Sequence, residues 1–186
     1  SSYKADSRLI SLFGRVMYNY DERYLASVSL RRDGSTRFGD NYKWGLFPSV
    51  SLGWRLNEEG FIQGTTWIDE LKLRVGYGVT GNQDFANYLS LLRLSSWGRF
   101  YYNGQWINTY GPASNPNPDL RWEKKREFNV GVDFGFKKRI TGALEYYYRQ
   151  SSDLIYLYSV PSPPYLVNTM WTNVGTISNT GIELTL

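Results

Sequence analysis

Between Phe128 and Tyr148 the chain alternates apolar and polar residues for two strand lengths, and that alternation limits the fold more than any other feature. The even positions Phe128, Val130, Val132, Phe134 and Phe136 are apolar, while Asn129, Gly131, Asp133 and Gly135 between them are polar or tiny. Successive side chains of a strand point to opposite faces, so this segment has one greasy face and one wet or crowded face. Lys137-Lys138-Arg139 makes a tight basic turn, and the alternation resumes with Ile140, Gly142, Leu144, Tyr146 and Tyr148, leaving Glu145 and Arg149 on the other side. Residues 121–148 therefore predict a long antiparallel hairpin with tyrosine crowded towards its far end.

The same pattern recurs along the chain. Ile10, Leu12, Gly14, Val16, Tyr18 and Tyr20 share a phase, with Phe13 and Met17 breaking the polar side. After a turn at Asp21–Arg23 the phase continues through Tyr24, Ala26, Val28 and Leu30. A third strand reads Pro48, Val50, Leu52, Trp54, Leu56, with Pro48 at its start, where a missing donor does least harm. A fourth reads Leu71, Leu73, Val75, Tyr77, Val79, and the last run, Ile182, Leu184, Leu186, stops in mid-alternation. Between them lie a polar loop from Asp33 to Gly45 and a connection from Asn57 to Glu70, with a helical turn expected near Thr66–Asp69. A very long segment from Thr80 to Asp119, with a strand expected at Tyr88–Leu94, and a loop from Ser151 to about Ser178 complete the chain.

Two magnitudes choose between a sandwich and a barrel. The alternating runs last about 9–11 residues, longer than the usual ~5–6 of globular strands and matching the length that crosses a bilayer at a tilt near 45°. The connections also alternate short and long, as outer-membrane barrels do with their periplasmic turns and extracellular loops. A sandwich has no reason to sort its loops this way. The expected fold is all-β, an antiparallel up-and-down transmembrane β-barrel, present in part as about seven strands, with residues 1–186 forming one piece of a single barrel domain. No run approaches the ~18 apolar residues of a membrane-spanning helix, which says nothing against a barrel. Ser1 is not an initiator methionine and the chain stops inside a strand pattern, so a fragment of something longer is expected.

Composition removes several functions. With no cysteine and no histidine, a thiol nucleophile, a Cys/His metal site and any imidazole triad are excluded. No cofactor, no metal and no catalytic residue are expected, and the chain reads as a non-enzyme. Lys+Arg 21 against Asp+Glu 17 leaves +4 with no dense basic run, so no nucleic-acid partner is expected. Gly76, Gly78 and Gly81 are not a nucleotide motif, since no helix follows them. Glu58-Glu59 fall in a connection with no pocket signal, which leaves glycosidase chemistry without a site.

Aromatic residues make up 17% of the chain and supply the candidate sites. Tyr18, Tyr20, Tyr24, Trp54, Tyr77, Tyr146 and Tyr148 lie on the outward phase and fit an interfacial girdle, with Phe128, Val130, Val132 and Phe134 facing lipid between the belts. The plainer reading is ordinary strand aromatics packed on their neighbours. Inward-phase charges Arg15, Arg31, Arg55, Lys72, Arg74, Glu127, Asp133, Glu145, Arg149 and Glu183 fit a lumen lining or a merely solvated face. The aromatic loop holding Trp97, Tyr101, Tyr102, Trp106 and Tyr110 could stack on sugars or grip a lid partner, since flat rings give large contact area at low entropic cost. Packing of that loop upon itself is the simpler alternative.

Several stretches resemble a known family. Asp33-Gly-Ser-Thr-Arg-Phe-Gly, Lys43-Trp-Gly with Phe47-Pro-Ser-Val-Ser, Leu71-Lys-Leu-Arg with Gly76-Tyr-Gly-Val-Thr-Gly-Asn-Gln, Asn117-Pro-Asp-Leu-Arg-Trp-Glu-Lys, and Asn179-Thr-Gly-Ile-Glu-Leu together look like the C-terminal half of the barrel of SusC/RagA-type TonB-dependent outer membrane transporters of Bacteroidota. The resemblance spans nearly the whole chain in the right order; the plug, the TonB box and the remaining strands are not in it. It implies a plugged barrel of about 22 strands in the outer membrane, importing an oligosaccharide or peptide. A SusD-like lipoprotein would close over the loops, and TonB would act through the plug. The rival reading from another class is a soluble or surface β-sheet domain that binds carbohydrate through its aromatic loops.

Overall fold

The computed structural model describes residues 4–186. Seven antiparallel strands form one sheet in the order β1-β2-β3-β4-β7-β8-β11: β1 (Leu9–Tyr20), β2 (Tyr24–Ser35), β3 (Trp44–Arg55), β4 (Ile68–Asn82), β7 (Glu123–Phe136), β8 (Ile140–Ser152) and β11 (Thr176–Thr185). Two separate hairpins, β5 (Leu94–Tyr102) with β6 (Gln105–Pro112) and β9 (Ile155–Ser159) with β10 (Thr169–Asn173), stand in the long loops. β1 and β11 lie at the two edges and do not pair with each other, so the sheet is open.

Register turns the sequence alternation into two continuous faces. Tyr18, Ala26, Leu52, Val75, Val130, Tyr146 and Ile182 are mutual neighbours across all seven strands. One residue along, Met17, Ser27, Ser51, Gly76, Asn129, Tyr147 and Gly181 form the row on the opposite face. A slip of one residue in any strand would drive polar groups into the apolar row, so the register is strongly set. Among the described residues no second sheet lies on the apolar face: Tyr18 is 60% exposed, Leu52 52% and Ile182 71%. That is the wall of a barrel and not half of a sandwich core.

The connections sort by end. Residues 21–23, 56–67 and 137–139 join strands at one end, and residues 36–43, 83–122 and 153–175 at the other. Both shortest turns place two charged residues at positive φ, Asp21 (51°) with Glu22 (52°) and Lys137 (50°) with Lys138 (53°). Each is closed by a backbone bond, Arg23 N–H to Tyr20 O at 3.0 Å and Arg139 N–H to Phe136 O at 3.0 Å. That left-handed pair matches the natural twist of a two-residue hairpin. Asp69 is squeezed out as a bulge where Ile68 and Glu70 meet Phe136 and Gly135, and its carboxylate accepts the Lys138 N–H.

The buried apolar residues are not in the middle of the sheet at all. Phe38, Phe47, Leu89, Leu120 and Trp122 are buried beneath the long loops, with Phe38 and Trp122 centroids 4.4 Å apart and Phe47 edge-on to Trp122 at 5.4 Å.

Two local expectations fail. The helical turn expected at Thr66–Asp69 is a turn leading into β4, and the short 3-10 turn lies at Leu56–Glu58 instead. No strand runs over Tyr88–Leu94. Tyr88 sits at φ 67°, and Leu89 and Ser90 are buried, with Ser90 O taken by the Asn117 N–H at 2.9 Å. The strand begins only at Leu94. The segment read as a long aromatic loop is largely the β5–β6 hairpin.

Candidate functional site at the long-loop end and along the wall

Three asparagines frame the long-loop end. Asn115, 2% exposed, donates through Nδ2 to Val167 O (2.6 Å) and Thr169 O (2.9 Å) and accepts at Oδ1 from the N–H groups of Leu166 (2.9 Å) and Val167 (3.3 Å). Asn117 donates to Trp171 O at 2.8 Å. Asn173 answers from the other side, donating to Arg121 O (2.8 Å) and Asp153 O (2.7 Å) and accepting the Arg121 N–H (2.9 Å). The Pro residues at 116 and 118 remove donors that this extended stretch does not use, and the amides stand in for a missing strand partner. The first long loop joins the same frame: Gly39 N–H donates to Leu120 O at 2.9 Å and the Trp122 indole to Lys43 O at 3.2 Å. A side chain at Gly39 would collide with the backbone of Pro118.

From this frame the β5–β6 hairpin projects. Asn103 (φ 47°) and Gly104 (φ 79°) make its tip, and no hydrogen bond among the described residues joins residues 99–108 to anything outside the hairpin. The register brings Tyr101 opposite Trp106, with ring centroids 5.3 Å apart, and puts Tyr110 on the same face of β6 as Trp106. Tyr102 lies on the other face with Phe100 and Ile107. Trp97, displaced by a bulge beside Gly98, lays its ring over Gly111. The five aromatic residues singled out in the sequence therefore form no single patch. They divide between two faces, all strongly exposed, from 56% for Tyr101 to 68% for Tyr110.

On the wall, Tyr18, Tyr20, Tyr24 and Trp54 form one run of rings near the short-turn end, with successive centroids 6.5, 6.3 and 6.1 Å apart. Trp67, Phe136 and Phe134 extend it across β4 and β7, at 5.6 and 5.5 Å. Tyr77, Phe128 and Tyr148 are side by side near the other end, Tyr146 is one step below Tyr148, and Trp44 stands at the start of β3. Val130 and Val132 lie between the two groups, with no second layer over them among the described residues. Trp44, Trp67 and Phe136 belong with these rings but were not singled out from sequence, although all three keep or adjoin the outward phase. Trp44 and Trp54 are ten residues apart. At ~3.4 Å per residue and a tilt near 40°, that is about 26 Å along the barrel axis, close to the ~25 Å apolar band of outer-membrane barrels.

Glu59, in the turn after β3, accepts from the Tyr24 hydroxyl at 2.7 Å and the Trp54 indole N–H at 2.9 Å. Those two donors, Tyr24 first, hold its carboxyl below the usual carboxylate range.

The inner face pairs its charges. Arg74 bridges Asp133 (2.8 Å) and Glu145 (3.5 Å), Arg149 meets Glu127 (3.1 Å), and Arg31 meets buried Asp33 (2.9 Å). Arg15 donates to Ser27 at 3.1 Å. Arg55, Lys72 and Glu183 have no ion-pair partner among the described residues; Arg55 and Lys72 are cross-strand neighbours near the short-turn end, and Glu183 lies apart on the edge strand β11. What the geometry offers is exposed aromatic rings and a face of paired charges.

The whole chain, residues 1–186, matches the family profile described as TonB dependent receptor-like, beta-barrel. It is 36% identical over 190 residues to the TonB-dependent receptor SusC of Bacteroides thetaiotaomicron, covering 100% of this chain and 19% of that protein. It is 36% identical over 179 residues to TonB-dependent receptor P39 of Formosa agariphila, covering 96% and 17%. Among solved structures, the RagAB peptide importer in its open-open state superposes with a TM-score of 0.85 at 30% identity, over 97% of this chain and 19% of that one. The siderophore receptor PirA of Acinetobacter baumannii, at 16% identity and TM-score 0.63, shares the fold. The chain thus spans about a fifth of the length of the relatives it matches.

Proposed function

Since the chain belongs to the TonB-dependent receptor β-barrel family, in its SusC/RagA branch, we propose that it forms part of the wall and outer mouth of an outer membrane transporter that imports an oligomeric nutrient, glycan or peptide. The observation that carries this reading is the single-layer sheet: seven strands, an apolar face with no second sheet on it among the described residues, and the two longest connections, 83–122 and 153–175, at one end. A soluble carbohydrate-binding domain would leave that face in water, at a cost of about 25 cal/mol for each Å² exposed.

In this reading Tyr18, Tyr20, Tyr24, Trp54, Phe134, Tyr77, Phe128, Tyr146 and Tyr148 lie at the two interfaces, with Val130 and Val132 in the hydrocarbon. The inner face is turned to the lumen, where unpaired Arg55, Lys72 and Glu183 meet a plug through which TonB acts. The β5–β6 hairpin works at the mouth. Its two aromatic faces suit two contacts, one with a SusD-like lipoprotein lid and one with the ligand. Trp97 and Tyr102 serve the first, and Tyr101, Trp106 and Tyr110 the second. The relatives support the transport reading: one is the TonB-dependent receptor SusC, and another is a peptide importer solved in open-open and closed-closed states.

The test is growth and uptake. In cells carrying the full-length gene, uptake of oligosaccharides or peptides should require both this protein and TonB. Replacing Tyr101, Trp106 and Tyr110 by alanine should weaken ligand capture while the lipoprotein still co-purifies. Replacing Trp97 and Tyr102 should do the reverse. Uptake that persists without TonB would overturn the transporter reading.

A further inference from the structure

Asn103 is the one asparagine of this chain followed by glycine, and it stands at the free tip of the β5–β6 hairpin, between the paired residues Tyr102 and Gln105. Its φ of 47° and the 79° of Gly104 make a two-residue turn in the left-handed region, which asparagine and glycine tolerate better than other residues. Asn103 is exposed, and among the described residues no hydrogen bond engages its carboxamide or the Gly104 N–H. A Cβ at Gly104 would meet nothing within 4 Å, so the peptide link between the two residues is open to water. The other asparagines are placed differently. Asn115 and Asn117 precede prolines, which have no N–H. Asn173 has its carboxamide nitrogen bonded twice. Asn108, exposed on the same hairpin, is paired with Arg99 in the ladder and precedes the branched Thr109. Each remaining asparagine precedes a residue that carries a side chain.

We infer that Asn103 is a site of spontaneous covalent modification, where the Gly104 amide nitrogen attacks the Asn103 side-chain carbonyl and the residue becomes aspartate or isoaspartate. As the bond from nitrogen to Cγ forms, the amide proton passes to solvent base. The bond from Cγ to the side-chain nitrogen then breaks, and ammonia leaves. Water opens the resulting five-membered succinimide. Addition at the side-chain carbonyl gives aspartate, and addition at the main-chain carbonyl gives isoaspartate, whose backbone runs through the former side chain. The sum is asparagine plus water to carboxylic acid plus ammonia, with no change of oxidation state. Glycine favours the first step because it has no Cβ to crowd the attacking nitrogen. Ring closure also requires the turn to open, and no hydrogen bond from residues 99–108 to the rest of the described chain resists that. Either product sets a carboxylate at a tip where residues 99–108 have no acid. Isoaspartate also adds one backbone atom to a turn built for two residues, which loosens the pairing of Tyr102 with Gln105 and of Tyr101 with Trp106. The chemistry needs only the hairpin as folded and does not depend on the transporter reading.

The test incubates the full-length protein, folded in mild detergent, in heavy-oxygen water at mildly alkaline pH. Peptides are then mapped by mass spectrometry with electron-transfer fragmentation, which separates the two acids. Asn103 should convert at least about tenfold faster than Asn108, a difference of about 1.4 kcal/mol in barrier, which the ladder pairing and branched neighbour of Asn108 supply. The product should carry one heavy oxygen, contain both acids with isoaspartate the larger share, and form faster as pH rises. N103Q, which would have to close a six-membered ring, should lose the reaction. Amide exchange at residues 99–102 and 105–108 should accelerate severalfold in the isoaspartate form. In N103D, which adds the charge without the extra atom, it should stay as in fresh protein. Conversion at Asn103 no faster than at Asn108, aspartate without isoaspartate, or conversion confined to protein that heat-dependent gel migration reports as unfolded would each overturn the inference. Equal exchange in the fresh and isoaspartate forms would overturn the loosening of the turn.

Discussion

Val132 lies four residues from Phe128 and four from Phe136 on the same face of β7, so it stands midway between the two groups of rings. Four residues at ~3.4 Å and a tilt near 40° put it about 10 Å from either boundary, too far for an arginine head to reach water without deforming the bilayer. Its cross-strand neighbours Leu73 and Leu144 offer no counter-charge. Val132→Arg should therefore destabilise the barrel by about 2–4 kcal/mol, against about 0–1 kcal/mol for Phe136→Arg at the boundary, discounting the lost ring. Asn129→Arg, on the inner face of the same strand, should cost less than about 1 kcal/mol, because a lumen-facing cation stays hydrated. The assay is urea unfolding of the full-length protein from lipid vesicles, with heat-dependent migration as the folding readout. The depth order is what matters. If Val132→Arg proves no worse than Phe136→Arg, or if Asn129→Arg is the worst of the three, the apolar face does not meet hydrocarbon and the argument is wrong.

Four further outcomes are expected. Asn115→Ala removes four hydrogen bonds and strands their partners, costing about 2–4 kcal/mol locally, so amide exchange at Leu166 and Val167 should accelerate about 10²-fold; unchanged exchange there would dismiss the clamp. Glu59 is depressed in the folded state, so its contribution is complete above its ordinary value of 4.5 and fades as pH falls through the depressed one. Tryptophan fluorescence should report that acid-side transition in the wild type and not in Glu59→Gln. Arg74→Gln should cost only about 1 kcal/mol or less despite two carboxylate partners, since the side chain is 37% exposed and screened; a loss of several kcal/mol in urea unfolding would show a dry site instead. Gly39→Ala should loosen the long-loop end through its collision with the Pro118 backbone, seen as faster proteolysis of residues 36–43, whereas Gly60→Ala, with open space around it, should leave cleavage unchanged.

The wall was legible in the sequence because a strand with two different environments must write them into alternate residues. The alternation from Phe128 to Phe136 marks a two-faced strand, and it took strand length and loop pattern to say that its apolar face meets lipid rather than a core. The strands run further than the alternation does: β2 continues through Asp33 to Ser35, and β7 starts at Glu123, since beyond the bilayer nothing demands an apolar residue every second place. The long-loop end was not legible. Asn115, Asn117 and Asn173 look like ordinary loop residues, and their function depends on partners about fifty positions away. One local signal does stand in that segment: Asn103-Gly104 between alternating aromatics is a strong hairpin mark. Tyr88–Leu94 misled for the opposite reason, because an apolar stretch buried by loop packing has the composition of a strand without its backbone.

The isolation of the β5–β6 tip also makes it an engineering site. An epitope or a small folded module spliced between Asn103 and Gly104 would meet no other part of the chain described here. In the proposed orientation it would stand outside the cell, with the asparagine frame left intact. The same splice between Asn115 and Pro116 would cut the four bonds that hold residues 166–169, and the mouth would come apart at its hinge pin.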